Sequence, residues 1–308
     1  MSYFKFPLVL FCFLLVVSCW LPHAYAADTL SVSPSLLQLD LATDKPEAQV
    51  FYTNHTTHTI ELSFSASDVT ALEDGYKLSF LDPKTAQNYN YRLSSWISFG
   101  QKTLLLNPGE TNSITVFINQ NELTPGGHYG SILAEINQKD TTGQAIQVRG
   151  VLSSLVFVRT NTGKEIEAGN IHAFDVTRDF FDFPNSFFFR LQNTGDTDLT
   201  PYGLLQVYDM WGNQVSKGIV NDASAPTLPE SIRRYDVPVK TSRFLFPGIY
   251  HANLSIHFGK KNIKEYANVS FFSQGSIPLI PLGIGIVILG IIVYKKRAKK
   301  PSEMQQEV

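Results

Sequence analysis

The chain has 308 residues, 25 Lys and Arg against 27 Asp and Glu, and a formal net charge of −2. Without the two terminal segments described below, 19 basic and 25 acidic groups remain and no basic patch stands out, which argues against nucleic acid as a partner. Both cysteines, Cys12 and Cys19, lie in the first 26 residues, so the rest of the chain offers no disulfide, thiol nucleophile or cysteine-metal site.

Residues 1–26 read as an export signal. Lys5 precedes an apolar run, and Ala24-Tyr25-Ala26 supplies a small-x-small exit before Ala27. A competing lipobox-like reading of Val16-Val17-Ser18-Cys19 would make Cys19 a lipidated N-terminus. Beyond it, nearly every segment alternates apolar and polar residues with a period of two. Ile60, Leu62 and Phe64 share one face, as do Ile114, Val116 and Ile118, then Ile132, Ala134 and Ile136. The pattern resumes at Phe187, Phe189 and Leu191, at Leu205 and Val207, and at Leu254, Ile256 and Phe258. Such runs predict half-buried strands. Turn chemistry separates them at Asn107-Pro-Gly-Glu110, Thr124-Pro-Gly-Gly127, Asp209 to Asn213, Phe246-Pro-Gly-Ile249 and Gly259 to Asn262.

A boundary near residues 160–164 divides these strands into about seven on each side. The two halves share a theme: a strand enters an Asn-Thr turn at Asn54 and again at Asn193, and a Pro-Gly turn leads through a tyrosine, Tyr129 or Tyr250. The expectation is an all-β protein of two tandem Ig-like β-sandwiches, residues 27–160 and 161–275. Ile277 to Tyr294 carries no charge and is followed by Lys295, Lys296, Arg297, Lys299 and Lys300. It reads as a transmembrane helix with stop-transfer cations and a basic tail over 295–308. That places the protein in the cell membrane as a single-pass chain, residues 27–276 outside and the C-terminus in the cytoplasm, on a bacterial surface.

Chemistry leaves little trace. No nucleophile elbow, phosphate loop or His-Glu-x-x-His motif is present, and no enzyme activity, cofactor, metal or small-molecule substrate is expected. His55 and His58 would lie on opposite faces of a strand, and isolated histidines such as His128 read as surface or turn residues. Asp175, Asp179 and Asp182 read as solvated loop acids. Six phenylalanines between Phe180 and Phe189 read chiefly as core and hairpin packing, with an exposed binding face as the alternative.

The order of export signal, a first sandwich opening at Ser31-Val-Ser-Pro-Ser-Leu-Leu-Gln-Leu-Asp40, a second sandwich, one span and a basic tail resembles the WxL-interacting proteins of Gram-positive cell surfaces. Leu105-Leu-Asn-Pro-Gly-Glu110 and Leu123-Thr-Pro-Gly-Gly-His-Tyr-Gly-Ser-Ile132 carry the likeness, which covers residues 29–160. The resemblance implies a peptidoglycan-binding first domain and a second domain that engages a surface protein. The resulting expectation is a non-enzymatic, membrane-anchored protein that binds a cell-wall polymer or another surface protein. The alternatives are a chaperone-like sandwich for exported subunits and accessory domains of a surface enzyme complex. The candidate partner-binding loop is Thr124, Pro125, Gly126, Gly127, His128 and Tyr129.

Overall fold

The computed structural model describes residues 29–72, 75, 77–137, 150–160, 162–177, 182–241, 244–276 and 279–298. The expected export signal with Cys19, together with Lys299, Lys300 and residues 301–308, lies outside them.

Seventeen described strands follow the alternation read from the sequence. The first half contains β1 (Leu30–Ser33), β2 (Leu36–Asp40), β3 (Glu47–Asn54), β4 (Ile60–Ala71), β5 (Leu78–Phe80), β6 (Ile97–Phe99), β7 (Thr103–Leu106), β8 (Thr111–Ile118), β9 (Gly127–Asn137) and β10 (Val151–Arg159). One sheet has the order β1-β3-β8-β6; the facing sheet runs β2-β10-β9-β4-β5, with β7 also on β4. The inward sets named above, Ile60 and Leu62, Ile114 to Ile118, and Ile132 with Ala134, are buried in the core between them with Val50, Tyr52, Val156 and Val158. Burial of such side chains contributes about 1.5–3 kcal/mol each.

The second half contains β11 (Gly169–Thr177), β12 (Ser186–Asn193), β13 (Tyr202–Tyr208), β14 (Gln214–Val220), β15 (Ile232–Pro238), β16 (Gly248–Phe258) and β17 (Ile263–Ser273). They form the sheets β11-β12-β15 and β14-β13-β16-β17, with a separate core of Phe187, Phe189, Leu191, Leu205, Leu254 and Ile256 among others. Of the phenylalanine run, Phe183 packs on that core and Phe188 lies under the Arg234 guanidinium, 4.0 Å from its ring centre. No described ladder joins the two pairs of sheets.

The first half holds ten strands rather than about seven because edges are cut into short pieces. The opening segment switches sheets at the cis Ser33–Pro34 peptide, giving β1 to β3 and β2 to β10. A short helix, α1 (Pro83–Ala86), was also unforeseen; Asp82 caps it by accepting from the amides of Lys84 and Thr85, with proline in the first turn.

The C-terminal segment forms a helix, α2 (Leu279–Ala298). Among the described residues no helix is long and apolar enough to cross a membrane. The expected span over 277–294, and the single-pass placement built on it, is therefore corrected. Lys295 and Lys296 sit in the last turns of α2 without a stop-transfer role assigned to them.

The shared theme of the halves has a physical basis. Asn54 Nδ2 donates to the carbonyls of His58 and Leu106 at 2.8 and 3.0 Å, while its Oδ1 accepts from the Thr56 amide. Asn193 Nδ2 likewise donates to the carbonyls of Thr197 and Thr227 at 2.7 and 3.0 Å, and its Oδ1 accepts from the Gly195 amide. Both side chains are buried. Replacing either by Ala removes two donated bonds and one acceptor, although His58 O keeps the Thr56 hydroxyl and Thr227 O the Leu199 amide, so Asn54→Ala and Asn193→Ala should each cost roughly 1–3 kcal/mol. Denaturant unfolding checks this; a loss below about 1 kcal/mol at both sites would contradict it.

Candidate functional site

The features that set this molecule apart from a bare pair of sandwiches gather around β10. Backbone parity follows from two bonds: the Leu155 amide donates outward to Ser35 O at 2.9 Å, and Gly150 O accepts from the Ile136 amide on the β9 side. Residues 151 and 153 therefore direct their amide and carbonyl groups away from β9. The parallel ladder with β2 begins only at Leu155. Outward of Val151 and Ser153 no described strand pairs with β10, so half the strand presents an open edge. Val151 is 51% exposed beside it.

The same strand carries its odd-numbered side chains into the groove between the halves. Leu155 and Phe157 meet Leu36 and Leu78 from the first half and Leu228 and Arg233 from the second around a cavity of about 280 Å³. Phe157 also borders a neighbouring cavity of about 250 Å³, whose polar wall is Asp40, Asp44, Arg159 and Asp198. Beneath them Tyr129, Phe157 and Leu228 form a small buried cluster, with the Tyr129 and Phe157 rings edge to face at 5.0 Å.

Polar bonds lock this junction. Arg159 pairs with Glu167 and donates to Thr197 Oγ1 at 3.1 Å. Glu167 also accepts from the amides of Lys260 and Lys261 at 2.9 and 3.1 Å. Burial alone would raise the Glu167 carboxyl, but those amides and Arg159 hold it below the ordinary range. The Lys260 ammonium pairs with Asp40. Tyr129 Oη donates to Asp198 Oδ1 at 3.3 Å; burial pushes the Tyr129 phenol and the Asp198 carboxyl both upward. Tyr91 Oη donates to Glu230 across the halves at 3.1 Å.

The loop singled out from the sequence is part of this lock. The Gly127 amide donates to Asp196 O at 2.7 Å, and Thr160 bonds Gly126 in both directions. Gly126 has φ +122° and a Cβ there would stand 2.9 Å from Asp196 O, so only glycine fits. His128 is buried rather than at the surface, its ring nitrogens 2.9 Å from the carbonyls of Arg92 and Thr124. The Thr124 hydroxyl lies 3.5 Å from His128 Nε2, and Pro125 presets the turn between them. The backbone and rings of residues 126–129 are thus engaged with their own chain. The open edge of β10 escaped sequence reasoning because strand pairing is non-local; the alternation of Val151 to Val158 marks a strand but not its neighbours.

The remaining sequence candidates stay apart from β10. His55 bonds the Ser31 hydroxyl and His58 the Thr57 hydroxyl, Asp182 accepts from Gln274, and Asp175 bonds the next amide; Asp179 lies outside the described residues. No group of three or more His, Cys, Asp or Glu among the described residues could hold a metal ion.

No family model matches the chain, and no curated protein matches it. Among solved structures it is similar to the class 5 fimbriae chaperone CfaA, at 10% identity and a TM-score of 0.38, covering 81% of this chain and 100% of that one. The Pseudomonas aeruginosa CupB2 chaperone gives 7%, 0.38, 78% and 100%. A Salmonella enterica SafA pilin in complex with the SafB chaperone gives 7%, 0.36, 81% and 98%. These are fimbrial chaperones, not WxL-interacting proteins, so the expected family resemblance is corrected, and with it the peptidoglycan and cell-surface partners that it implied. At these TM-scores the likeness carries no argument about what this chain binds.

Glu165 offers a test of the linker that follows β10. Burial would raise its carboxyl, but the Thr162 amide and the hydroxyls of Thr160 and Thr162 bring it down to about 2. A depressed carboxyl stabilises the fold above its unfolded value, and that contribution fades as pH falls through the native one. Glu165→Gln should therefore lower Tm near pH 7 and converge with the parent as pH approaches 2. Thermal unfolding across pH 2–7 checks this; a constant offset would exclude it.

Proposed function

We propose that this chain is a non-enzymatic, chaperone-like protein for exported subunits, built as two Ig-like sandwiches that divide near residue 160. It takes up an extended segment of its client along the open edge of β10. The observation that carries this reading is the outward backbone of Val151 and Ser153, which no described strand satisfies. An added strand would make main-chain bonds there, the mode by which sheet edges receive extended peptides.

Geometry constrains such a client. A strand on that side of β10 lies in line with β2 and must stop where β2 begins, at Pro34 and Ser35. Its last side chains would reach the groove bordered by Leu36, Leu78, Leu155 and Phe157. Apolar residues at alternate positions suit the apolar wall, and uncharged ones suit the edge beside Val151.

Ser153→Pro removes one outward amide and leaves the β9-facing amides of Leu152 and Ser154 intact. The full-length variant should lose at least about tenfold in affinity, some 1.4 kcal/mol, for an extended peptide of alternating apolar residues, measured by fluorescence anisotropy. A scrambled-pattern peptide should bind neither form. Equal affinity of parent and Ser153→Pro, with both folded by circular dichroism, would sink the proposal.

A further inference from the structure

We propose that the junction between the two sandwiches is a proton-operated latch, closed while Asp198 holds a proton and loosened when it gives that proton up. Asp198 stands in the connection between β12 and β13, on the wall of the polar cavity that separates the halves. The charged and titratable groups that face it come from every element around it. They are Tyr129 of β9, Arg159 of β10, Asp40 of β2 and Asp44 just after it, Glu167 of the linker, Lys260 of the β16–β17 turn and Tyr235 of β15.

Charge counting gives the latch its direction. Two cations serve this neighbourhood, and both are already engaged: Arg159 with Glu167 and Thr197, Lys260 with Asp40. An ionised Asp198 would be a further carboxylate around the same cations, with the Tyr129 phenol donating to it at 3.3 Å. Burial raises the Asp198 carboxyl; Arg159 counters it in part and Glu167 adds to it. Glu167 and Asp40 move the opposite way and keep their ion pairs well into acid. The closed junction thus binds the Asp198 proton more tightly than an opened one. Closure is fully favoured below the ordinary aspartate value and is lost as pH rises through the raised one.

The amide of Gly127 reports the latch directly, since its partner, Asp196 O, belongs to the other half. Hydrogen exchange of the full-length chain is measured from pH 4 to 8 and corrected for the intrinsic rate. Gly127 protection should fall by up to about tenfold per pH unit between the ordinary aspartate value and the raised Asp198 value and level off above it, while Val116 in the β3–β8 ladder stays flat. Asp198→Asn should hold Gly127 at its acid-side protection throughout. Tyr129→Phe, which removes a donor to the ionised carboxylate, should move the fall to higher pH and serves where Asp198→Asn does not fold. Flat Gly127 protection in the parent overturns the latch, as does the parental midpoint persisting in either variant.

Discussion

Arg159 and Glu167 form the contact on which the rest of the molecule depends. Arg159 ends β10, the strand around which the first half is arranged; Glu167 sits in the linker, where it also gathers the amides of Lys260 and Lys261 from the far hairpin. One carboxylate therefore ties the end of β10 and the linker after it to a turn 93 residues further along the chain. Desolvating such a pair is costly, and that cost is offset by the further bonds of Arg159 to Thr197 and of Glu167 to two amides. With this clamp in place, the odd-numbered face of β10 is held against the second half and the groove beside Phe157 keeps a defined shape.

Much of the fold was legible in the residues because strand alternation and turn chemistry are local. Phe187, Phe189 and Leu191 had to share a face, and Gly109, Gly212 and Gly259 occupy the positive φ their turns require. Partner choice was not legible. Nothing in Leu36 to Asp40 reveals that it runs parallel to β10 while Leu30 to Ser33 joins another sheet. The same limit hid the contacts of Thr124 to Tyr129, whose polar, glycine-rich make-up does not show that Asp196 and Asp198 are brought against it.

The mistaken resemblance has a related cause. Asn107-Pro-Gly-Glu110 and Pro125-Gly-Gly127 answer needs of chain reversal that many sandwiches share, so they report a class of fold and not a ligand. The apolar terminal segment misled for a different reason. Hydropathy reads a helix correctly there, but among the described residues no helix is long and apolar enough to cross a membrane.

The opening strand, split between two sheets, also decides how the protein bears tension. A pull that separates residue 30 from residue 159 drags β2 and β10, which are parallel, in opposite directions, so their ladder from Leu36–Leu155 to Asp40–Arg159 is loaded in shear and its bonds share the force. In the second half the first and last strands, β11 and β17, lie in separate sheets and share no ladder. Under load the second sandwich should yield first, and the half that carries the open edge of β10 should be the last part of the molecule still folded.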